Sequence, residues 1–349
     1  MTGPDAVRSG SEAGARDRIA ILGAGSWGTA LALHLARAGR PVSLWCRRPE
    51  TATTIARERE NKVYLPGHPL PAGLAVTGDL AAAIQGAGLV LFVVPAQASR
   101  AVYRAAAPHL QREPDLVIAS KGIEEGSLRR LSEILEEESG RRPGSGSISV
   151  LSGPSFALEV ARGDPAAVVV AGPDPASTAR VRGTLSAGAV RVYSNTDLVG
   201  VEIAGALKNV VALATGIAEG IGFGSNTRAA LITRGLAEIT RLGVALGGRA
   251  VTFAGLAGMG DLVLTCTGAL SRNRTVGVAV GQGRPLAEVL QGMRMVAEGV
   301  ATSRAAVALA ARQAVEMPIA AQVHAVLFEG RAPREAVQDL LARPLREEA

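Results

Sequence analysis

The sequence is poor in the residue types that build disulfide frameworks, metal centres and base-stacking surfaces. Its 349 residues include two cysteines and four histidines, and only 3% are aromatic. Two cysteines, Cys46 and Cys266, are too few for a disulfide framework or a zinc finger. The histidines are scattered along the chain, away from every motif described below. The sequence therefore supports neither a metal site nor histidine-based catalysis.

Long apolar runs are also missing from the sequence. The longest stretch without a charged residue, 80–99, is interrupted by Gly86, Gly88 and Pro95. A membrane span needs about 20 continuous apolar residues, and the polar residues 1–17 lack the apolar core of a signal peptide. We therefore expect a disordered tail at 1–17, a cytoplasmic protein and no integral membrane contact.

The charge balance favours a small anionic ligand over a nucleic acid. Lysine and arginine together number 37 against 31 acidic residues, which gives a formal charge of +6. The basic residues form no block, and few aromatic side chains are present to stack on bases, so we expect no nucleic-acid partner. A mildly positive field suits a small phosphorylated substrate.

Lysine is rare, because only Lys62, Lys121 and Lys208 among the 37 basic residues are lysines. A buried ammonium group can shift its pKa and exchange a proton, whereas a guanidinium group cannot. A lysine retained in such an arginine-rich chain is therefore a candidate for a chemical role. The alternative is survival by chance, and the position of each lysine must decide between the two.

Short apolar strands alternate with helical segments over the first 195 residues. We predict strands at 18–22, 41–46, 89–94, 115–119, 147–151, 166–171 and 189–193, helices at 23–38, 51–60 and 127–138, and a flexible loop at 141–147. This alternation predicts an α/β fold over residues 18–195. Its core would be a Rossmann-type, doubly wound parallel sheet with helices on both faces.

After residue 195 the pattern becomes helical. Apolar residues recur at helical spacing over 196–219, 227–246 and 297–313, and glycine and proline mark loops at 249–261 and 281–285. We predict an all-α domain over 196–349 that carries the substrate and catalytic groups.

A glycine-rich turn follows the first predicted strand. Gly23, Gly25 and Gly28 form a G-x-G-x-x-G motif. The motif follows a predicted strand and opens a predicted helix, and this position favours dinucleotide binding over a chance match. The first glycine permits a tight turn, the second a close approach of a pyrophosphate, and the third close helix packing. We predict a dinucleotide site here, with Ser26 and Trp27 within reach of the phosphates. The alternative is a glycine-rich turn without a ligand.

The end of the second predicted strand bears on the choice of nicotinamide cofactor. NAD sites of this kind place an acidic residue about 20 residues after the glycines, where it holds the ribose 2′-hydroxyl. Here the strand ends in Arg47 and Arg48, and the nearest acidic residue, Glu50, follows Pro49. Arginine suits the 2′-phosphate of NADP, so we favour NADP(H) and keep NAD(H) as an alternative. The two arginines could instead form a solvated strand end.

Two lysines occupy positions suited to chemistry. Lys121 follows a predicted strand, at the sheet edge where open α/β folds bind ligands; its alternative is an exposed loop residue. Lys208 lies in a long apolar helix without an acidic partner at i, i+4 spacing. Desolvation lowers the pKa of a buried lysine toward the range of proton transfer. Its alternative is extension along its stem to the surface.

Further candidate substrate residues lie in polar turns. They are Gly153, Ser155, Asp261, Ser271, Arg272 and Asn273. An arginine fork beside an asparagine can hold a phosphate, although the same residues also suit a solvated helix face. For Ser155 and Asp261 the structural alternative is a helix N-cap.

Several longer blocks carry a family resemblance. In chain order they are GAGSWGTALA, NKVYLPG, SKGIE, SGPSFA, EIAGALKNVVALATGIAEG, NTRAALITRGLAE, GLAGMGDLVLTCTGALSRN and AEGVATSRA. From about Arg18 to Phe328 the chain resembles the bacterial NAD(P)-dependent glycerol-3-phosphate dehydrogenases. The resemblance implies reversible, NAD(P)H-dependent reduction of dihydroxyacetone phosphate to sn-glycerol 3-phosphate, the backbone of glycerophospholipids.

The resemblance also implies residue roles. Lys208 matches the proton donor and acceptor of the family, with Lys121 and Asp261 as further catalytic residues. Our own mechanistic hypothesis adds that Asp261 and Asn209 orient Lys208. Substrate contacts are implied for Lys121, Gly153, Ser155, Lys208, Asp261, Ser271, Arg272 and Asn273. Cofactor contacts are implied for Gly23, Gly25, Ser26, Trp27, Gly28, Arg47, Arg48, Tyr64, Lys121, Ala157, Arg272, Val296 and Glu298.

Two other functions remain open at this point. Another two-domain 2-ketoacid or 3-hydroxyacid reductase would share the glycine turn and the helical lysine, but not the SGPSFA and GLAGMGDL blocks. A non-catalytic NADP-binding sensor would not need Lys208 on an apolar helix. The apolar C-terminal helices are compatible with the homodimer that we expect.

Overall fold

A computed structural model describes residues 18–110, 113–140 and 148–344. The predicted tail at 1–17 and the predicted loop at 141–147 lie outside the described residues. The chain forms two compact units. The first contains the described residues up to Ser120 together with Leu131–Leu198, and the second contains Lys121–Arg130 and the described residues from Val199 onward. Each unit has its own buried apolar core.

A single sheet organises the first unit. Its strands are β1 (Ile19–Leu22), β2 (Val42–Trp45), β3 (Ala75–Thr77), β4 (Leu89–Phe92), β5 (Asp115–Ile118), β6 (Ile148–Ser152), β7 (Ala166–Ala171) and β8 (Val190–Asn195). Their order is β3-β2-β1-β4-β5-β6-β7-β8, and all neighbours are parallel except β6 and β7. The predicted α/β fold is confirmed. The strand order reverses between β1 and β4, which is where open sheets of this kind bind ligands.

The central strands are continuous apolar runs because both faces of a parallel sheet are covered. Every residue of β1 and β4 is buried, and the two strands pair from Ile19–Leu89 to Leu22–Phe92. β3 is absent from the predicted strands because it is only three residues long, AVT, and lies at a partly covered edge of the sheet.

The helices of the first unit are α1 (Ser26–Arg37), α2 (Pro49–Glu58), α3 (Leu80–Ile84), α4 (Ser99–Ala106), α5 (Leu131–Ser139), α6 (Ala157–Arg162) and α7 (Pro175–Leu185). α1 starts at the glycine-rich turn and buries Leu31, Leu33 and Leu35. α5 begins later than the helix predicted at 127–138. Leu128 has a positive φ of 58°, so the chain turns before the helix starts.

The second unit is helical, as predicted. Its helices are α8 (Leu198–Gly220), α9 (Ser225–Ala245), α10 (Ala250–Phe253), α11 (Asp261–Thr267), α12 (Arg272–Gly281), α13 (Leu286–Gln291), α14 (Glu298–Arg312), α15 (Pro318–Phe328) and α16 (Pro333–Leu341). The loop predicted at 249–261 is wrong, because α10 and a π-helical turn at Leu256–Gly260 occupy it. Gly258 serves close packing, because a Cβ at this position would overlap the backbone of Phe253.

Two helical stretches, Leu198–Gly220 and Ala250–Thr267, are long and apolar enough to cross a membrane by length and composition alone. The sequence pattern predicts no such run. In the first stretch 89% of the apolar window is buried inside the protein, against 44% in the second. A buried core helix meets the same criteria, and α8 is the core helix of its unit.

Candidate active site

The glycine-rich turn between β1 and α1 brings backbone segments into close contact. Gly23 has a positive φ of 124°, and a Cβ at this position would overlap the carbonyl oxygen of Val93. A Cβ at Gly28 would overlap the carbonyl oxygen of Gly23. Both positions therefore require glycine, one for the tight turn and one for the packing of α1.

Gly25 differs from these two glycines because the space beside it is open. A Cβ at Gly25 would meet no atom within 4 Å. Gly25 is the N-cap residue of α1, which starts at Ser26, continues with Trp27 and has no acidic residue in its first turn. The positive end of the helix dipole thus faces an open approach, which fits the pyrophosphate of a dinucleotide.

Asn61 fixes the neighbouring loop to the glycine-rich turn, a role that the sequence pattern does not predict. Its side chain is fully buried. Nδ2 donates to the carbonyl oxygen of Ala24 at 2.9 Å and to Thr29 Oγ1 at 2.8 Å, and Oδ1 accepts from the Tyr64 N–H at 3.3 Å. Asn61 therefore places Tyr64, an expected cofactor residue, next to the turn. Its membership of the NKVYLPG block is the only signal in the sequence.

Arg47 and Arg48 follow β2, and both side chains are exposed. Arg48 is the N-cap residue of α2 without a side-chain cap bond, and Glu50 lies in the first turn of that helix. The strand end is fixed by Trp45, whose indole N–H donates to the Gly78 carbonyl oxygen at 3.1 Å. Two exposed guanidinium groups therefore lie at the strand end where folds of this kind contact the ribose 2′-position of a dinucleotide.

The turn after β6 carries Gly153 and Ser155. Gly153 has a positive φ of 125°, and a Cβ there would lie 3.0 Å from the Cα of Val168. Ser155 Oγ donates to the Gly153 carbonyl oxygen at 3.1 Å. Phe156 holds the N-cap position of α6, and Ala157 begins that helix. The helix-capping alternative for Ser155 is therefore wrong.

In the second unit, Lys208 places its ammonium group inside the protein. The residue is 6% exposed. Its Nζ donates to Thr265 Oγ1 at 2.6 Å and lies 3.0 Å from Asp261 Oδ1. Burial lowers the pKa of Lys208 to about 8; the Asp261 carboxylate opposes this shift and Lys121 adds to it. The surface-extending alternative for Lys208 is wrong, and the ammonium can exchange a proton near neutral pH.

Asp261 joins the two lysines. Its buried carboxylate contacts Lys208 through Oδ1 and Lys121 through Oδ2, with 2.5 Å between the Lys121 Nζ and Oδ2. Burial opposes ionisation of Asp261, but the ammonium groups of Lys121 and Lys208 hold its pKa below the ordinary value. The ionised carboxylate balances one of two positive charges. The cluster keeps a net charge of +1, which suits an anionic substrate.

The π-helical turn sets the position of Asp261. The Gly260 N–H donates to the Gly255 carbonyl oxygen at 3.1 Å, five residues back. Such turns are rare and occur frequently at functional sites. Asp261 is the first residue of α11, and Gly260 is its N-cap. The helix-capping alternative for Asp261 is wrong, because its carboxylate binds the two lysines instead.

Thr265 completes this cluster, although the sequence pattern predicts no role for it. It lies one helical turn after Asp261 and is 4% exposed. Its hydroxyl donates to the Asp261 carbonyl oxygen at 2.6 Å and accepts from Lys208. The spacing from Asp261 is visible in the sequence. The contact with Lys208 is not, because it joins residues 57 positions apart.

Asn273 is bound on both sides in the first turn of α12. Its Nδ2 donates to Asn209 Oδ1 at 2.9 Å, and its Oδ1 accepts from the Gly299 N–H at 2.9 Å. The structure thus pairs the Asn209 side chain with Asn273, whereas our mechanistic hypothesis from the sequence has Asn209 orient Lys208. Ser271 is the N-cap residue of α12, and its Oγ accepts from the Arg274 N–H at 3.3 Å.

Arg272 lies beside two expected cofactor residues. Its side chain is exposed, and one terminal nitrogen donates to the Val296 carbonyl oxygen at 2.9 Å. Val296 is 50% exposed, and Glu298 is the first residue of α14. Within the second unit, the expected site residues therefore form two groups. One surrounds the carboxylate of Asp261, and the other surrounds the first turn of α12.

Two family models match the chain. One is described as the N-terminus of NAD-dependent glycerol-3-phosphate dehydrogenase and matches residues 18–178. The other is described as the C-terminus of the same enzyme and matches residues 197–338. Together they cover most of the chain, in the order N-terminus then C-terminus.

Similar proteins agree with these models. An NAD(P)+ glycerol-3-phosphate dehydrogenase of Geobacter sp. strain M21 is 53% identical over 95% of this chain and 99% of the relative. One of Moorella thermoacetica is 50% identical over 94% and 97%. The crystal structure of glycerol-3-phosphate dehydrogenase from Coxiella burnetii is 42% identical, with a TM-score of 0.89 over 94% of this chain and 100% of that one. The resemblance found in the sequence is confirmed, and the chain belongs to the NAD-dependent glycerol-3-phosphate dehydrogenase family.

Proposed function

We propose that this chain catalyses the reversible NAD(P)H-dependent reduction of dihydroxyacetone phosphate to sn-glycerol 3-phosphate, which supplies the glycerophospholipid backbone. The observation that carries the proposal is the buried cluster of Lys208, Asp261 and Lys121. It holds an ammonium group with a pKa of about 8, which can protonate a ketone oxygen. Relatives that are 50–53% identical are named for this activity.

The first unit carries the cofactor in this proposal. The open space at Gly25 and the absence of a side-chain cap on α1 support pyrophosphate binding there. When bound, NAD(P)H supplies the hydride that reduces C2 of the ketone. We favour NADPH because two exposed arginines, and no acidic residue, end β2. The proposed cofactor contacts are Gly23, Gly25, Ser26, Trp27, Gly28, Arg47, Arg48, Tyr64, Lys121, Ala157, Arg272, Val296 and Glu298.

Lys208 supplies the proton that completes the reduction. An N–H bond of the ammonium breaks as the O–H bond of the alcohol forms, which leaves a neutral amine. Until then the ammonium stabilises the negative charge that develops on the oxygen. Asp261 and Thr265 fix the direction of the Nζ by hydrogen bonds. In the reverse direction the neutral amine accepts the proton.

The remaining side chains bind the phosphate and add positive charge. Lys121 contributes the second ammonium group of the cluster. Arg272 offers a planar fork to the phosphate, and Asn273 is held beside it by Asn209. Binding of the phosphate positions the carbonyl for reaction. Further proposed substrate contacts are Gly153, Ser155 and Ser271.

We also propose that residues 18–195 form the cofactor domain and 196–349 the substrate domain of a cytoplasmic homodimer. Exposed apolar side chains on α9, α10 and α11, namely Val244, Val251 and Val263, support association. Light scattering tests this part of the proposal. A solution mass equal to the 35.6 kDa of one chain would exclude the dimer.

The decisive experiment follows nicotinamide absorbance after dihydroxyacetone phosphate is added to the purified protein with NADPH or NADH. We expect rapid oxidation, faster with NADPH. Replacing Arg47 and Arg48 by alanine would then lower kcat/KM for NADPH while leaving that for NADH. Oxidation of neither cofactor, with NADPH still bound, would exclude this substrate. Other phosphorylated or carboxylated ketones would then be tried, and their failure would favour a sensor.

A further inference from the structure

The segment Lys121–Arg130, called the 121–130 loop below, lies between β5 and α5 in the chain but packs within the second unit. Ile123 is fully buried in the apolar core of that unit, and Leu128 packs against the same core. Lys121 starts the loop and contacts Asp261. The loop is therefore the element that delivers Lys121 to the buried cluster.

The two ends of the 121–130 loop are tied to each other. Ile123 and Arg130 form an antiparallel bridge. The Glu124 N–H donates to the Arg129 carbonyl oxygen at 3.1 Å, and the Leu128 N–H donates to the Glu124 carbonyl oxygen at 3.0 Å. Leu128 adopts a positive φ that leucine rarely takes, and such a conformation persists where surrounding contacts enforce it. A displacement of Arg130 is therefore transmitted to the part of the loop that carries Lys121.

Arg130 is anchored to the helix that carries Lys208. One of its terminal nitrogens lies 2.9 Å from Glu202 Oε2, and the two side chains are only 17% and 3% exposed. Glu202 precedes Lys208 by six residues on α8, a rise of about 9 Å. A carboxylate this buried needs its cationic partner. The loop is thus fixed at one end to Asp261 and at the other end to α8.

A second ion pair of the loop serves as an internal comparison. Arg304 of α14 lies 3.6 Å from Glu125, with side-chain exposures of 51% and 36%. Exposed pairs of this kind contribute little, because water screens them. The same loop therefore carries one buried and one exposed pair.

We propose that Arg130 and Glu202 are positioning residues that hold the Lys121 ammonium against Asp261, and that they control the protonation of Lys208 in this way. The proposal rests on the proposed function, since it assumes that Lys208 donates the proton. Neither Arg130 nor Glu202 touches the reacting atoms in this proposal. Both act through Lys121.

The charges around Lys208 give this proposal a specific signature. Burial lowers the pKa of Lys208; Asp261 and Cys266 on α11 oppose that shift, and Lys121 adds to it. If Lys121 withdraws, one cation leaves and Asp261 is left to Lys208 alone. Both changes raise the pKa of Lys208. Loss of the anchor should therefore move the alkaline limb of the reduction to higher pH, which a general loss of stability would not do.

The test compares pH profiles of kcat for NADPH-dependent reduction of dihydroxyacetone phosphate. R130M/E202L removes the buried pair without leaving a lone charge. We expect its alkaline limb to move up by about half a pH unit or more and kcat at pH 7 to fall about tenfold. K121M should move the limb in the same direction. R130K should retain much of the wild-type pH profile. R304Q, at the exposed pair, should leave the wild-type profile unchanged.

The outcomes separate this proposal from the proposed function. Wild-type protein without turnover would overturn both. Turnover in the wild type, with a limb that moves in K121M but stays in a folded R130M/E202L, would overturn the anchor alone. An equal shift in R304Q would also overturn it. If R130M/E202L does not fold, the alkaline limb is measured on R130Q at reduced temperature. A limb that does not shift in R130Q overturns the proposed anchoring role of Arg130 and Glu202.

Discussion

Lys208 is costly for the fold at its position, and two contacts of its ammonium group explain how it is retained. An ammonium group inside a core needs partners. It has the carboxylate of Asp261 at 3.0 Å and the hydroxyl of Thr265 at 2.6 Å. Lys121 lies on the far oxygen of the same carboxylate. Since burial still lowers the pKa of Lys208 to about 8, the residue is arranged to release its proton rather than to be a permanent charge.

Lys208→Arg tests whether the proton matters more than the charge. Arginine keeps the positive charge but does not release its proton. We expect kcat to fall about 10³-fold, in line with the loss of a general acid. In the wild type, kcat for reduction should be constant below pH 8 and fall above it, because the ammonium form is the proton donor. Steady-state kinetics between pH 6 and 9.5 measure both effects.

Lys62→Arg is the matched control for this substitution. Lys62 belongs to the first unit, is 61% exposed and pairs with Glu58 at 3.2 Å. The variant should keep the wild-type kcat and pH profile. A Lys208→Arg variant that turns over as fast as this control would exclude proton donation by Lys208.

The residues of the site differ in how well the sequence alone predicts their roles. The rarity of lysine and the apolar residues around Lys208 in the sequence are enough to single out that residue. No such feature singles out Thr265 or Asn61, because threonine and asparagine are common residues and the roles of these two depend on partners distant in the sequence. Thr265 meets Lys208 across 57 positions, and Asn61 meets Ala24 across 37.

At the element scale, the crossing of α8 and α12 sets the spacing between Lys208, the proposed proton donor, and the residues proposed to bind the phosphate. α8 carries Lys208 and Asn209, and α12 starts with Arg272 and Asn273. Glycines let the two helices meet at backbone distance. They are Gly216, Gly220, Gly277 and Gly281, and a Cβ at any of them would overlap a carbonyl oxygen of the opposite helix. The Asn209–Asn273 hydrogen bond of 2.9 Å depends on this approach.

Gly277→Ala tests the crossing. The added methyl group would overlap the Leu213 carbonyl oxygen, so the helices must separate. We expect a loss of about 2 kcal/mol in the free energy of unfolding. We also expect KM for dihydroxyacetone phosphate to rise more than kcat falls, because α12 carries the residues that we propose bind the phosphate. Denaturant titration and steady-state kinetics measure the two effects.

Gly183→Ala is the control for Gly277→Ala. Gly183 lies in α7, where a Cβ would meet no atom within 4 Å. In this helix the exchange should stabilise the protein by up to about 1 kcal/mol. Equal stability of the two variants, together with an unchanged KM, would show that the crossing does not depend on glycine at 277.

Elements are predictable where a local pattern decides their structure. The strands β1 and β4 and the long helix α8 are predictable because each is a continuous or nearly continuous run of apolar residues in the sequence. The glycines at Leu256–Gly260 predict a loop, because glycine usually breaks helices, and the chain forms a π-helical turn there instead. A Cβ at Gly258 would overlap the backbone of Phe253, so this glycine serves close packing rather than a flexible loop. The 121–130 loop is a similar case, since its sequence does not indicate which core it joins.

At the scale of the whole molecule, one buried carboxylate links stability to pH. Glu238 of α9 is 3% exposed and accepts hydrogen bonds from the first turn of α15, at 2.8 Å from the Ile319 N–H and 3.3 Å from the Ala320 N–H. Burial raises its pKa to about 7, against these two N–H groups and the charges of Arg241 and Arg343. The folded protein therefore binds this proton more tightly than the unfolded chain.

The sign of the effect follows from that difference. Between the ordinary pKa of 4.5 and the folded value of about 7, the folded state is protonated at Glu238 and the unfolded state is not. The contribution of Glu238 to the free energy of unfolding is thus greatest below pH 4.5, decreases as the pH rises, and is lost above pH 7. The full span corresponds to about 3 kcal/mol. Glu238→Gln should remove this dependence, because the amide does not titrate.

Denaturant titrations of wild type and Glu238→Gln between pH 5 and 8 measure the difference. The free energy of unfolding of the wild type should decrease relative to the variant over this range. Glu335→Gln, on the exposed face of α16 with a side chain 58% exposed, should run parallel to the wild type. Parallel curves for wild type and Glu238→Gln would mean that Glu238 stays ionised in the folded protein. In that case the two N–H groups of α15 outweigh the cost of burial, and Glu238 anchors that helix as a permanent charge.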